Sequence, residues 1–312
     1  MHFAQLLPEM IFQTVEDQGF IPTGSLTPLN SYENRVYEIG IEEKEPIIAK
    51  YYRPGRWSKE AIIEEHQFLK ALQEAELPVV APFVLDQIDD IHYAFFPKFR
   101  GREQPEITND NRRWLGRTLA RLHNLGDHFK AKHRLHLTPK TYGYDSLSFI
   151  LTQEFLPPDL KQNIEAHLVM ALERVDPFFK TDLKAIPLHG DCHPGNILWN
   201  KDGPHLVDFD DMVIAPPVQD VWMLFNGDEE EKREQQKIFF EGYEMFRAFD
   251  HATLRLAEPL RTLRMIRHAA WIGQRYEEPA FQRAFPYYNQ RRYWEGFLLE
   301  IKEQIGLLSD LF

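Results

Sequence analysis

From Pro8 the apolar positions recur at helical spacing: Met10, Ile11 and Val15 share one face, and Gly19 supplies a C-terminal stop. The stretch 24–29 leads into a polar and aromatic turn at 30–34, and the period then changes. Residues 35–39 alternate as a strand does, and 46–52 form a second β-rich run, joined to the first by Glu42, Glu43 and Lys44. After Ser58, a helix-capping residue, Ile62, His66, Leu69 and Leu72 mark an amphipathic helix. Pro78 and Pro82 break it, 83–85 opens another strand, and 92–97 continues the sheet to Pro97. Beyond that point helices dominate. Leu115, Leu119, Leu122 and Leu125 keep helical spacing up to Gly126, and Leu160, Ile164, Leu168 and Leu172 do so within 158–175. The intervening 128–145 reads as a polar, basic loop open to a substrate, and His123 as a structural histidine. The order predicts an α+β chain: residues 1–97 form an antiparallel-sheet lobe with one main helix, 98–312 a mostly helical lobe, and about 97–101 the linker.

One stretch breaks this regular alternation. Leu188 to Trp199 places Asp191 and Asn196 five positions apart in a loop shaped by Pro194 and Gly195, and twelve residues beyond Asn196 comes Asp208. Residues 197–199 and 205–207 read as paired strands across a turn at 200–204, which carries Asn196 and Asp208 to the same end of a hairpin. Two carboxylates and a carboxamide gathered there suit Mg²⁺ and the orientation of a hydroxyl for phosphoryl transfer. In that chemistry Asp191 is the proton acceptor, Asn196 a neutral hard ligand, and Asp208 the anionic ligand bridging metal and phosphates. His189, Asp191, Cys192 and His193 could instead suggest a transition-metal site, but no second cluster of histidine or cysteine has the spacing to complete one.

Other parts of a phosphotransferase have candidates upstream. Lys50, inside an apolar strand, either faces solvent or turns inward toward nucleotide phosphates. The inward reading requires an acid on a nearby helix; Glu64 and Glu65 both lie on the next one, and Glu65 is beside its apolar stripe. The turn around Ser31 is either a plain hairpin loop or a phosphate-covering loop built from backbone N–H groups and the Ser31 hydroxyl. Arg261, Arg264 and Arg267 form either a phosphate-binding stripe or a salt-bridged face.

Composition narrows the partners. With 43% hydrophobic and 27% charged residues in 312, the chain reads as an ordinary globular protein. A net charge of −12 argues against nucleic-acid binding, which needs a basic face. No apolar run reaches membrane-spanning length, the N-terminus lacks a signal-peptide pattern, and the single cysteine fits a reducing cytoplasm.

The spacing His189-x-Asp191-x-x-x-x-Asn196 plus Asp208 resembles the catalytic and metal loops of the protein-kinase-like fold, and Gly190 gives it the look of the aminoglycoside phosphotransferase and choline kinase branch. The segments 30–37, 52–54, 64–68 and 219–224 resemble the bacterial stress response kinase A family, over essentially the full chain. The resemblance implies a bilobal kinase fold, ATP and Mg²⁺ as cofactors, and serine/threonine protein kinase activity with autophosphorylation in a bacterial stress response. A small-molecule O-phosphotransferase is the alternative within the same branch. Residue by residue, it makes Asp191 and Asp208 catalytic, Asn196 and Asp208 the metal ligands, and Ser31, Lys50 and Glu65 the nucleotide contacts. It also implies that Asp220 braces the catalytic loop. The chain departs from eukaryotic protein kinases in lacking a glycine-rich phosphate loop, in having Gly190 where they place a phosphate-docking arginine, and in having Asp210 where they have glycine. These departures imply that no phosphorylation switch operates in 211–219.

Overall fold

A computed structural model describes residues 6–104, 106–180 and 183–311, so the outermost positions of both expected lobes, with 105 and 181–182, lie outside the described residues. By contact density the chain forms two compact units. The first comprises 1–134, 191–212 and 223–249; the second comprises 135–190, 213–222 and 250–312.

The first unit begins with helix α1 (Pro8–Asp17), which buries Ile11 and Val15. Five strands follow, β1 (Pro22–Pro28), β2 (Arg35–Ile41), β3 (Ile47–Tyr51), β4 (Val84–Ile88) and β5 (Ile91–Pro97), in an antiparallel sheet of order β1-β2-β3-β5-β4. β1 was not legible, because its Pro, Gly, Ser and Thr residues carry no alternating pattern. It is an edge strand with prolines at both ends, where a missing N–H costs least, and its register slips between Pro22 and Leu26. Central β3 is buried through Ala49, Lys50 and Tyr51, with Lys50 opposite Val36 on one side and Ala94 on the other.

Helix α2 (Lys59–Glu74) starts where the Ser58 hydroxyl accepts from the Ala61 N–H at 3.2 Å, and it buries Ile62, Phe68, Leu69 and Leu72 together with Glu64 and Glu65. Helix α3 (Asn109–Gly126) begins six residues earlier than its leucine repeat indicates, because Thr108 caps it. It packs against the helix Glu229–Tyr243, itself started by an Asp228–Glu231 capping box. His123 is buried at this contact, bonded to the Tyr243 hydroxyl at 2.8 Å.

The second unit is mostly helical. Helices Pro158–Phe179 and Arg291–Ser309 pack together, as do Asp145–Ile150 and Ala257–Gly273, and a two-stranded ribbon pairs Ile186–Leu188 with Val213–Ala215. The segment 128–145, expected to be an open loop, is partly ordered: Pro139–Tyr144 is a π-helical turn entered through a Thr138–Thr141 capping box. Of the arginine stripe, Arg261 pairs with Glu258 and lies over Trp222, and Arg267 lies over Tyr142, so these two are packed into the fold.

The approach of α3 to helix Glu229–Tyr243 depends on two glycines. A Cβ on Gly116 would stand 2.2 Å from the Phe239 carbonyl oxygen, and one on Gly242 would stand 2.0 Å from that of Arg113. Neither contact can be relieved by rotating a side chain. Gly116→Ala is therefore expected to destabilise the protein by about 1–3 kcal/mol, although alanine is the better helix former. Denaturant unfolding checks it; unchanged or higher stability would mean that the two helices can separate freely.

Candidate active site

The site is built on a hairpin of the first unit. Ile197–Asn200 pairs with Gly203–Leu206 across Lys201 and Asp202, and Gly203 takes φ +104 with its α-carbon against the Trp114 indole, where a Cβ would come within 2.4 Å of the ring. Backbone bonds secure the hairpin on both sides: Trp199 exchanges N–H and C=O with Arg102 at 2.8 and 3.0 Å, and the Leu206 N–H donates to the Pro78 carbonyl at 2.9 Å. At its base the Val207 N–H donates to the Asn196 carbonyl at 3.1 Å. Asn196 therefore enters one strand as Asp208 leaves the other.

Local bonding orients both residues. The Asn196 side-chain N–H donates back to the Asp191 carbonyl at 2.9 Å, leaving the amide oxygen for a ligand. Asp208 sits at φ +61, a left-handed conformation that costs a non-glycine residue free energy and persists only where neighbouring contacts over-determine it. Its Oδ1 lies 3.4 Å from Lys50 Nζ.

Lys50 is buried among carboxylates, 3.8 Å from Glu65, 3.4 Å from Asp208 and 3.2 Å from Asp210. Burial alone would lower its pKa; Asp210, Glu65 and Asp208 outweigh that and hold it well above the ordinary lysine value. Burial likewise pushes the Glu65 carboxyl up, against the pull of Lys50 and Arg134. For Asp210 the balance reverses: burial would raise it, but Arg56, Lys50 and Arg134 hold it below the usual carboxylate range. Of the two acids on α2, Glu65 faces Lys50, while Glu64 accepts the backbone N–H groups of Lys132, His133 and Arg134 at 2.6–3.0 Å.

Ser31, Lys50, Glu65, Asn196 and Asp208 all line one cavity of about 590 Å³, a volume suited to a small-molecule ligand. Apolar walls from Val36, Ile48, Leu69 and Leu198 complete it. Ser31 Oγ accepts from the Asn34 N–H at 3.3 Å, so the polar turn is closed on itself. Asp191 is not among the lining residues; it occupies the adjoining turn, with its carboxylate 3.5 Å from His193 Nε2. In the second unit, buried Asp220 accepts the His189 and Gly190 N–H groups at 2.9 and 2.8 Å, immediately before Asp191 in sequence.

The donor set offers a divalent cation one amide oxygen and one carboxylate. That fits a metal whose remaining ligands are phosphate oxygens and water, the usual habit of Mg²⁺. Among the described residues no group of three or more His, Cys, Asp or Glu side chains gathers as a metal site. Sequence reasoning missed Glu33, Arg56 and Arg134, which surround the Lys50 cluster. Arg134 belongs to the segment read as open loop, yet it is 2% exposed and bonds Glu65 at 2.9 Å. Arg56 pairs with Asp210 and, at 2.6 Å, with Asp211. The one available signal for Arg56 was its place five residues after the strand carrying Lys50.

Residues 25–257 match the phosphotransferase enzyme family. The chain is 37% identical to the serine/threonine protein kinase RdoA of Salmonella typhimurium, and 37% identical to stress response kinase A of Escherichia coli (strain K12), in each case over 99% of this chain and 95% of the relative. Among solved structures it is similar to an amicoumacin kinase in complex with AMP-PNP, Ca²⁺ and Ami, with a TM-score of 0.74 and 18% identity over 94% of this chain and 93% of that one. The α+β, protein-kinase-like fold class expected from the chain is thereby shown. Among the described residues no helix is long and apolar enough to cross a membrane.

One neighbour of the cluster makes stability depend on pH. His66 Nε2 bonds the Tyr52 hydroxyl at 2.7 Å, and burial, with Lys50 and Arg134 nearby, pushes its pKa down from 6.5 to about 3. The unfolded chain then binds a proton below pH 6.5 that the folded chain refuses, so the stability contribution is complete above that pH and falls as pH drops. Between pH 6.5 and 5.5 the loss should be about 1 kcal/mol. Denaturant midpoints of the wild type and of His66→Phe over this range check it; equal pH slopes for the two proteins would refute it.

Proposed function

We propose, from the premise that this chain belongs to the phosphotransferase enzyme family, that it is a serine/threonine protein kinase using ATP and Mg²⁺ and able to phosphorylate itself. The observation that carries the donor side is Lys50, buried against Glu65 and opening with Ser31, Asn196 and Asp208 on one cavity. The acceptor side rests on the serine/threonine protein kinase at 37% identity over nearly the whole of both chains. Residues 1–97 form the nucleotide-binding lobe in this reading and 98–312 the catalytic and substrate lobe. The enzyme works in the cytoplasm, away from membranes and nucleic acid, in a stress response like that for which its relative in Escherichia coli is named.

Each residue has a physical task. Lys50, kept protonated by its carboxylates, pairs with the α- and β-phosphates, and Glu65 keeps it aimed. Ser31 and the N–H groups of its turn cover the phosphates in place of a glycine-rich loop. The Asn196 amide oxygen and the Asp208 carboxylate hold the cation, which when bound neutralises charge on the transferring phosphoryl group. Asp191 orients the attacking hydroxyl and takes its proton. Asp220, through the His189 and Gly190 N–H groups, positions the backbone from which Asp191 projects.

Asp191→Asn is expected to lower phosphoryl transfer by about 10²–10⁴-fold, since an amide cannot accept the proton, while ATP affinity stays within about threefold by calorimetry. Undiminished turnover would sink the mechanism. The acceptor class is decided by offering radiolabelled ATP to the enzyme with a casein-like protein, with the enzyme alone, and with a panel of amino alcohols. Label in protein serine or threonine is expected; label confined to the small alcohols would replace the protein kinase with a small-molecule O-phosphotransferase.

A further inference from the structure

We propose that Arg56 is a positioning residue of the metal–nucleotide site: it ties the turn that follows Asp208 to the polar turn that carries Ser31, and so fixes where the Asp208 carboxylate stands. This rests on the reading of Asp208 as a cation ligand.

The turn 209–211 is held from two sides. Arg134, fully buried with the Trp57 ring 4.3 Å from its guanidinium carbon, donates to the Phe209 and Asp210 carbonyls at 3.3 and 3.1 Å and pairs with Glu65 at 2.9 Å. These bonds secure the backbone of the turn. Its side chains are secured by Arg56, which pairs with the buried Asp210 carboxylate and reaches Asp211 at 2.6 Å. A planar guanidinium meets two carboxylates with donors in a fixed fork; an ammonium is a point charge with rotatable donors and sets their geometry less tightly. Asp208 directly precedes these residues at φ +61, and such a conformation survives only while its neighbours are fastened.

The other edge of Arg56 faces the polar turn that carries Ser31. Its Nε lies 3.6 Å from Glu33 Oε1. Glu33 is also held by Arg53 at 3.0 Å, and Arg53 donates to the Glu33 and Tyr32 carbonyls at 3.0 and 3.3 Å. The Arg53 N–H donates to the Asn34 side chain, and the Asn34 N–H donates to Ser31 Oγ. Arg56 thus shares carboxylates with two turns, each of which contributes a residue to the cavity lining, Ser31 in one and Phe209 in the other. It also balances Asp210, so that Lys50 is not drawn wholly to that acid and remains available between Glu65 and Asp208.

The test compares Arg56→Met, Arg56→Lys, the double variant Arg56→Met/Asp210→Asn, and Asp208→Asn. Two readouts are used: the Mg²⁺ dependence of turnover, and the Mg²⁺ dependence of the thermal shift produced by a non-hydrolysable ATP analogue, which needs no activity. Removing a group that orients a metal ligand is expected to raise the half-saturating Mg²⁺ about 10–100-fold in Arg56→Met, with a smaller rise in Arg56→Lys. The metal-free melting temperature should fall in Arg56→Met, which leaves a buried carboxylate short of a partner, and recover in the double variant, which removes that charge. Half-saturating Mg²⁺ should stay raised in the double variant, because the tie between the loops is still missing. Unchanged Mg²⁺ dependence in Arg56→Met, or its full recovery in the double variant, would overturn the positioning role and leave Arg56 a charge-balancing residue only. Should Arg56→Met fail to fold, Asp211→Asn removes one arm of the clasp at a half-exposed side chain; a rise of about threefold is expected there, and none would overturn the proposal. Asp208→Asn serves as the control: if it leaves Mg²⁺ dependence untouched, the ligand reading itself has failed, whatever Arg56 does.

Discussion

The site depends on keeping a charged lysine inside the protein. An unpaired buried ammonium is so costly that it would give up its proton, so Lys50 can hold a charge only if carboxylates reach it. Three do, and they come from distant parts of the chain: Glu65 from α2, Asp208 from the end of the hairpin and Asp210 from the turn after it. Those acids in turn require cations, and Arg134 and Arg56 supply them. The consequence is a network in which removing one buried member leaves its partner's charge unbalanced. Ion pairs of this kind do not add much net stability, because desolvation offsets the attraction. What they do is select one arrangement, since any slippage would strand a charge.

Lys50, Arg53, Arg56 and Arg134 face Glu33, Glu65, Asp208, Asp210 and Asp211, one more acid than bases among these residues. The excess sits at the most exposed member, for the Asp208 side chain is 59% exposed while Glu65 and Asp210 are 1% and 4% exposed. The negative charge facing the cavity is therefore next to the protonated Lys50. A cation and a polyphosphate are together what such a pair of neighbouring opposite charges can accept.

Much of this was legible in the residues. The order of elements followed from period and punctuation, because β2 and α2 each bury one face and say so in their spacing, while β3 is a short β-rich run bounded by turn residues. The hairpin that carries Asn196 and Asp208 was readable for the same reason: turn residues flanked by apolar runs encode a local structure. β1 was invisible because an edge strand needs neither apolar alternation nor every N–H. The segment after residue 128 was misread because its polar residues suggest solvent, whereas Arg134 is buried by partners that are distant in sequence.

The difference between what could and could not be read is one of distance along the chain. Asp191, Asn196 and Asp208 fall within eighteen residues, so they could be considered together from spacing alone. Arg56 meets Asp210 across 154 residues, and Arg134 meets Glu65 across 69; no local pattern encodes either contact. The groups proposed to touch nucleotide and metal are thus written mostly in short motifs, while the groups that hold them in place are written in the fold. A short motif can persist in a sequence whose supporting arginines have gone, and it would then mark a site that no longer holds its geometry. The fuller signature of the proposed site is the motif together with Arg56, Arg134 and their four acids, because those ion pairs tie the segments that carry Ser31, Lys50 and Asp208 to one another.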